Sequence, residues 1–530
     1  MEVYRIDMET ILSLYDKQKR TLNGTDTAIR WINSSLTCQQ ITWDEIEKES
    51  NRRAAFLAKK QCQQGDHVFI FLQSSPEIWF FFLGALKCGA VPCVLFPNFG
   101  EDAIRSRLVI GKAVYLITDT SFTKFEDLFL SISTIRAIVY VDGIGKPLST
   151  NDRLLRFDKE SAFVSDHFIP CKVDPDDPAF MVFTSGSTGF PKAVIHAHRI
   201  AESIQRSMRN VLQIGKDDLF WCTAHPAWIT GTVYSILGPL LCGIESVQYS
   251  GNFHAKRWMP ILQNQRVAVG YSAPTAFRSL MQESPDFYKE YDFSALKEIF
   301  SIGEPLNPVV FFWGKAIFNR DIHDTWFQTE AGTIRIANIP GNAIKPGFMG
   351  KAVDDAFPVI LNEHNQSVPP NEVGRLCLKE GWESCFIDYF EQRSAFASKF
   401  QSGYYETGDL AYQDDEGYFC FVGRDDDVIN TSGHLVGPFE VESVLLSQDE
   451  IADVGVVAAP DDLLYEKVAA FIVLKNGFIW NDKLESKMRI AVTSHLSPIA
   501  TPKLFIIVDE IPRNNAGKIL RNVLRERLKT

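Results

Sequence analysis

Phe183-Thr184-Ser185-Gly186-Ser187-Thr188-Gly189-Phe190-Pro191-Lys192 sets small hydroxyl residues and glycines beside one lysine, between two apolar, strand-like runs. Gly186 and Gly189 permit backbone conformations closed to other residues and let N–H groups approach an anion. The hydroxyls of Thr184, Ser185, Ser187 and Thr188 can donate hydrogen bonds, and Lys192 adds charge. The stretch reads as a phosphate-binding loop. It is not the loop of P-loop NTPases, which needs a glycine directly before the lysine and Ser or Thr directly after it, opening a helix. Here Pro191 precedes Lys192, and Ala193-Val194-Ile195 continues as a strand.

Around this loop, helix-like and strand-like segments alternate through the first four hundred or so residues. Gln39 to Lys60 reads as helical after a short lead-in strand. His67 to Leu72, Val91 to Phe96, Val114 to Ile117 and Ala137 to Val141 read as buried strands. The expected class is α/β, with sheets covered on both faces. Ile78 to Pro97 is long and apolar, but Lys87 lies at its centre and Pro92 further along, so a buried helix running into a buried strand is expected rather than a membrane span. Ser75-Pro76-Glu77 supplies a helix start, with Ser75 as N-cap and Pro76 at the first helical position. The character changes where the aromatic strand Tyr418 to Val422 runs into Arg424-Asp425-Asp426-Asp427. About a hundred residues of α+β character follow, including strand-like Val454 to Ala458 and Ala469 to Leu474 and a last helix from Lys518.

A chain of 530 residues exceeds the size at which one hydrophobic core stops growing, so at least two domains are expected. Its formal charge of −12 argues against a nucleic-acid partner bound by neutralising many phosphates, though not against small anions met by a local cluster of donors. Ten scattered cysteines, without a CxxC pair or histidines at zinc spacing, are expected to be reduced core residues. Met1 to Glu9 carries acidic residues and no apolar core of signal-peptide length, so a cytoplasmic location is expected. The sequence leaves the oligomeric state unread.

The loop closely resembles the phosphate-binding signature of the adenylate-forming superfamily, which contains acyl-CoA synthetases, luciferases and peptide-synthetase adenylation domains. The resemblance continues, in the family's order and spacing, through Trp228-Ile229-Thr230-Gly231, Gly303-Glu304-Pro305, Asp324-Thr325-Trp326-Phe327-Gln328-Thr329-Glu330, Tyr405-Glu406-Thr407-Gly408-Asp409, Gly423-Arg424-Asp425-Asp426-Asp427-Val428-Ile429 and Gly517-Lys518-Ile519-Leu520-Arg521. It implies a large N-terminal domain, residues 1–424, of helix-covered β-sheets plus a distorted β-barrel. It also implies a small mobile α+β domain, residues 425–530, that would swing about a hinge at Asp426 and carry the catalytic lysine.

The implied substrates are ATP, a carboxylic acid and coenzyme A, with Mg2+ as cofactor. The loop from Thr184 to Lys192 would wrap the β- and γ-phosphates, and Glu330 resembles the magnesium ligand; magnesium accepts one protein carboxylate alongside phosphate oxygens and water. Asp409 resembles the acceptor for the ribose hydroxyls and Arg424 a ribose or phosphate partner. Gly303-Glu304-Pro305 and Asp324-Thr325 correspond to adenine-side walls, and Trp326 to Thr329 complete that run. Lys518 matches the lysine bridging the substrate carboxylate and the α-phosphate as negative charge gathers. After rotation at Asp426, Ser432-Gly433-His434 would face the thiol entrance. Ala331 stands where the family usually has Thr or Ser.

For the acyl pocket the resemblance points to Trp228, Ile229, Thr230, Ile302 and Phe327, and the motifs are closer to acetyl-CoA synthetases and short- and medium-chain acyl-CoA synthetases than to luciferases. The residue before Gln328 is tryptophan in acetate enzymes of this group and glycine in medium-chain ones. Phe327 lies between them in size, which implies room for a few more carbons than acetate and a propionate, butyrate or branched four- or five-carbon acid. Two positions depart from the pattern. Leu435 stands where an arginine usually follows Gly-His and reaches the nucleotide phosphates, and His225-Pro226-Ala227 replaces Asp-Pro-Gly or a close variant. The expected activity is a short- or branched-chain acyl-CoA synthetase. A ligase loading a carrier-protein thiol and a catalytically weakened nucleotide-binding homologue remain the alternatives.

Overall fold

Strands whose residues are apolar on both faces must be covered on both sides, and the first half of the chain meets that demand with helices. The computed structural model describes residues 8–142, 151–161, 164–185, 191–353, 356–431, 434–461, 464–513 and 518–528. A five-stranded parallel sheet runs in the order Val91–Val94, His67–Phe71, Tyr115–Thr118, Ala137–Tyr140, Leu154–Arg156. All five residues of His67–Phe71 are buried, as expected for a central parallel strand. A larger, nine-stranded sheet is parallel from Ile322–Trp326 through Glu298–Ser301, Val269–Ser272, Phe220–Cys222 and Ser246–Tyr249 to Thr27–Ile32.

The helix Glu77–Lys87 shows why a lysine tolerates the middle of an apolar run. Lys87 is 1% exposed, and its Nζ donates to Glu47 Oε2 at 2.9 Å, Ser50 Oγ at 2.9 Å and Asn51 Oδ1 at 2.7 Å on the neighbouring helix Trp43–Lys59. All three ammonium protons are used, as a buried charge requires. Among the described residues no helix is long and apolar enough to cross a membrane.

Two smaller antiparallel sheets complete the large domain. In one, Pro191–Ala197 pairs with Pro178–Ser185 on one side and with Asp388–Tyr389 on the other; Thr184 lies opposite Lys192 and Tyr389 opposite Val194. The other runs Pro358–Leu361, Gly374–Lys379, Tyr404–Gln413, with Phe400–Gln401 and Phe419–Arg424 both paired to Tyr404–Gln413. It forms the half-barrel of the large domain.

Beyond Arg424 a separate sheet of Ile429–Thr431, His434–Val436, Tyr465–Leu474, Ile451–Asp461 and Leu504–Ile507 packs against the helices Pro438–Leu446, Asp482–His495 and Arg521–Arg527. Its two hydrophobic clusters draw only on residues from Ile429 onward, and the clusters of the large domain use none of them. The chain is thus a large α/β domain with a small α+β domain at its C-terminal end.

Several boundaries differ from the sequence expectation. The helix expected from Gln39 begins at Trp43, because Cys38–Thr42 is a strand and Thr42 caps the helix, its hydroxyl accepting from Glu45 N–H while Glu45 reaches back to Thr42 N–H. Ser75 does not cap Glu77–Lys87 with its side chain; its carbonyl accepts from Ile78, and Pro76 occupies the cap position without a side-chain bond. The last helix starts at Arg521, not Lys518, because Ile519 is held in a β-bridge with Arg513. All ten cysteines are free. Six are buried, while Cys62, Cys171 and Cys385 are half-buried and Cys38 is exposed.

Candidate active site

The C-terminal ends of parallel strands are where an α/β sheet leaves backbone groups and loops free to meet a ligand. Here a cleft of about 230 Å³ opens at those ends of Glu298–Ser301 and Ile322–Trp326 and is closed from the other side by the small domain. Gly303, Glu304, Pro305, Asp324, Thr325, Trp326, Phe327, Gln328, Asp409 and Arg424 line it from the large domain. Glu442, Asp453, Arg513, Lys518 and Arg521 line it from the small one.

Asp409 is the hub. It projects from Tyr404–Gln413 and is 4% exposed. Its Oδ2 accepts from Trp326 Nε1 at 3.1 Å and Gln328 Nε2 at 3.0 Å, and its Oδ1 from an Arg424 guanidinium N–H at 2.9 Å. These three donors and a backbone turn hold the carboxylate in one orientation, the Asp409 N–H being tied to Thr407 Oγ1 at 3.0 Å. Gly408 takes a φ of 75° just before it. A Cβ there would stand 3.0 Å from the Arg424 guanidinium, so the glycine lets arginine and aspartate meet. Gln328 is held in turn by Tyr405 Oη, which donates to its Oε1 at 3.1 Å.

At the far wall Glu304 Oε2 accepts from Arg278 at 2.5 Å and lies 3.7 Å from Arg513 Nη1 of the small domain. Asp324 is buried beside it. Its Oδ2 takes only a long bond of 3.4 Å from Leu306 N–H, and among the described residues Oδ1 has no partner. Burial pushes its pKa well above the usual carboxylate range. Gly303, at φ 93° with open space where a Cβ would project, keeps that wall thin.

Lys518 reaches the same cleft although more than a hundred residues separate it from Asp409. Solvent still reaches it, but the surrounding protein disfavours its charge and lowers its pKa below the ordinary lysine value, against the pull of Asp409, Glu304 and Glu330. Glu330 sits in the single 3-10 turn Thr329–Ala331, one of its carboxylate oxygens accepting from Tyr389 Oη at 2.7 Å. Among the described residues its other oxygen has no hydrogen-bond partner, and no three His, Cys, Asp or Glu side chains cluster. One carboxylate with a spare oxygen suits a hard cation completed by phosphate oxygens and water, not a cage built from protein alone.

Phe327 is 8% exposed, lines the cleft with Ile302, and meets Tyr234 edge-on at 5.7 Å. Trp228, Ile229 and Thr230 do not line this cleft; Trp228 packs on Phe96 at 4.8 Å and Phe96 on His225 at 5.1 Å. Thr184 and Lys192 face each other across the strand pair that flanks the loop expected to bind phosphate, whose Gly186, Ser187, Thr188 and Gly189 lie outside the described residues, as do Ser432 and Gly433. The Ser185 side chain likewise lies outside the described residues. Leu435 is 55% exposed on its strand and is not part of the cleft lining. Arg278, Arg513 and Tyr389 were not marked as site residues by the sequence. Arg513, five residues before the Lys518 motif, carried the nearest thing to a signal.

The model of the AMP-binding enzyme family matches residues 18–382, and that of the AMP-binding enzyme C-terminal domain residues 440–518. The chain is 38% identical to the acetyl-coenzyme A synthetase of Bacillus subtilis (strain 168) over 489 residues, 92% of this chain and 85% of that protein. It is 32% identical to that of Bdellovibrio bacteriovorus over 98% of this chain and 84% of that protein. An acyl-CoA synthetase of Brucella canis superposes with a TM-score of 0.75 at 30% identity, covering 97% of this chain and 94% of the other. The anthranilate CoA ligase AuaEII, solved with anthranoyl-AMP, superposes with a TM-score of 0.90 over 99% and 98%, and at 24% identity this likeness speaks for the fold.

Proposed function

This chain belongs to the family of AMP-binding enzymes, and from that premise we propose that it is an ATP-dependent acyl-CoA synthetase that activates a short- or branched-chain carboxylic acid as its acyl-adenylate. The observation that carries the reading is that Lys518 of the small domain and Asp409, Gln328 and Glu304 of the large one line a single cleft.

A carboxylate is a poor electrophile, and joining it to a thiol requires a better leaving group. In the first step a carboxylate oxygen of the acid attacks the α-phosphorus of ATP, and the bond to pyrophosphate breaks. Lys518 holds the acid and the α-phosphate in line and meets the negative charge that gathers between them. Asp409, its orientation fixed by Trp326, Gln328 and Arg424, accepts from the ribose hydroxyls, for which a carboxylate has enough lone pairs. Gly303, Glu304, Pro305, Asp324 and Thr325 form the wall on the base. Thr184 to Lys192 hold the β- and γ-phosphates. Glu330 would hold magnesium, which when bound neutralises phosphate charge.

In the second step the sulfur of coenzyme A attacks the acyl carbon, AMP departs, and a thioester remains. Lys518 has no part in it and must leave. Residue Asp426 is the proposed hinge of a small domain starting at residue 425; its carbonyl is held by Arg525 at 3.1 Å and its carboxylate lies 3.8 Å from Arg424. Those contacts brace the segment in the arrangement suited to the first step. Rotation would bring Ser432 and Gly433 to the thiol path. The acyl floor is assigned to Phe327 and Ile302, and the location to the cytoplasm.

Pyrophosphate release measured across acids of two to eight carbons, with and without coenzyme A, tests the reading. Acid-dependent release, with thioester formed only when coenzyme A is added, is expected. Release indifferent to the acid, or none with any of them, would overturn it.

A further inference from the structure

Tyr389 stands between the two charged groups assigned to the phosphate end of the site. Its hydroxyl donates to Glu330 Oε1 at 2.7 Å, and Lys192 Nζ lies 5.0 Å from the centre of its ring. The tyrosine cannot move to suit either group. It is 1% exposed, its strand Asp388–Tyr389 is hydrogen-bonded in register to Pro191–Ala197, which carries Lys192, and Phe386 packs on its ring at 4.9 Å. The turn that carries Glu330 is fixed to the same sheet by His196, whose Nε2 lies 2.7 Å from the Thr329 carbonyl, and by Phe386 N–H, which donates to the Glu330 carbonyl at 3.0 Å.

A lysine and a glutamate this close to a common side chain would ordinarily collapse into an ion pair, satisfying each other and leaving nothing for a ligand. Among the described residues no Lys192–Glu330 pair forms within 4.0 Å. The tyrosine supplies each with a substitute: a hydroxyl proton for one carboxylate oxygen, and the electron-rich face of a ring for the ammonium. Neither substitute neutralises the charge it holds. Glu330 is left with a spare oxygen, and the ring accepts no N–H hydrogen bond that would take the Lys192 donors from a ligand.

We propose that Tyr389 is a positioning residue that keeps Lys192 and Glu330 apart and preset, so that the ammonium meets the terminal phosphates of ATP and the free carboxylate oxygen meets their cation. The inference rests on the proposed binding of ATP, whose terminal phosphates would extend past the cleft lining to Lys192 and Glu330. It adds that two residues from distant parts of the chain are coupled through a third, and that the coupling concerns the β- and γ-phosphates alone.

The test is calorimetric and needs no turnover. MgATP and AMP are titrated into the full-length protein and into Tyr389→Phe, Glu330→Gln and the double variant. Tyr389→Phe keeps the ring and the packing and loses one charge-assisted hydrogen bond, so MgATP should bind about tenfold more weakly while AMP, lacking the terminal phosphates, binds as before. In the double variant the loss should equal that of Glu330→Gln alone, because the hydroxyl acts through that carboxylate. Equal weakening of MgATP and AMP, unchanged MgATP binding, or additive losses would each overturn the proposal. A parent protein that binds neither nucleotide overturns the assignment of the cleft itself and the proposal with it, an outcome distinct from a parent that binds normally and a phenylalanine variant that matches it.

Discussion

Arg513 Nη1 lies 3.7 Å from Glu304 Oε2, joining the small domain to the wall of the cleft, and the same guanidinium donates to Asp453 at 2.8 and 3.0 Å. Glu304 is in turn held by Arg278 at 2.5 Å, so the contact ends on a fixed carboxylate. Such a pair favours the closed arrangement in which Lys518 reaches the cleft. A partly buried ion pair contributes on the order of 1 kcal/mol, and Arg513→Ala should therefore slow adenylation about fivefold. Thioester formation from preformed acyl-adenylate should be unchanged. Rapid-quench measurement of both half-reactions decides; an equal loss in each would show that Arg513 stabilises the small domain rather than its placement.

The pH dependence follows from Lys518. Because protein surrounding the cleft lowers its pKa below the ordinary lysine value, the lysine loses its proton at a lower pH than a free lysine would. The protonated form meets the charge in the adenylation step, so kcat should fall as pH rises through that lowered pKa. Lys518→Arg, whose guanidinium stays charged, should lower the maximal rate and remove the alkaline fall. A pH–rate profile of pyrophosphate formation checks this. An alkaline limb that persists in the arginine variant would assign it to another group.

Phe327 is expected to set chain length. Phe327→Gly should shift the preferred acid towards six to eight carbons, and Phe327→Trp towards acetate, seen in relative kcat/KM and not in ATP affinity. Removing a buried ring that packs on Tyr234 costs about 3 to 5 kcal/mol of stability, so the glycine variant will melt earlier. Ratios between acids within one variant are insensitive to that loss. A chain-length profile matching the parent's would leave Phe327 as a core aromatic.

Leu435 is exposed on the strand His434–Val436 and lies outside the cleft lining. An arginine there should be tolerated without change in melting temperature. Since the position does not reach the cleft in this arrangement, Leu435→Arg should leave adenylation unaltered and speed thioester formation about threefold or more, by adding a charge-assisted hydrogen bond after rotation. Single-turnover transfer to coenzyme A measures it; a gain confined to adenylation would contradict the rotation assigned to this strand.

Much of this architecture was legible because it is local. Val68 to Leu72 is apolar at every position and Val91 to Phe96 is built of apolar residues with Pro92 and Cys93, which marks buried parallel strands, and Lys87 and Pro92 within the long apolar run spoke for a buried helix and strand rather than a membrane span. The boundaries were less legible where a polar strand precedes a helix: Gln39 to Thr42 has no alternation to betray it, and only the Thr42–Glu45 capping box marks the start. The site divides the same way. Asp409, Gln328, Glu304 and Lys518 sit in compact motifs, and the cleft gathers them. Tyr389 and Arg513 do not, because what makes them interesting is a partner elsewhere: Glu330 is 59 residues from Tyr389, and Glu304 lies in the other domain from Arg513. No periodicity records a contact of that kind. Trp228, Ile229 and Thr230 were read into the acyl pocket from motif likeness, and the cleft described above does not include them.

The central claim is that Lys518 serves the first half-reaction only, and Lys518→Ala tests it most directly. Pyrophosphate formation from acid and MgATP, and thioester formation from synthetic acyl-adenylate and coenzyme A, should be measured on the same preparation. The account predicts that the first falls at least about a hundredfold, as expected when a preorganised charge is removed from a transition state, while the second stays within about twofold of the parent. Comparable losses in both half-reactions, or an adenylation rate close to the parent's, would contradict it.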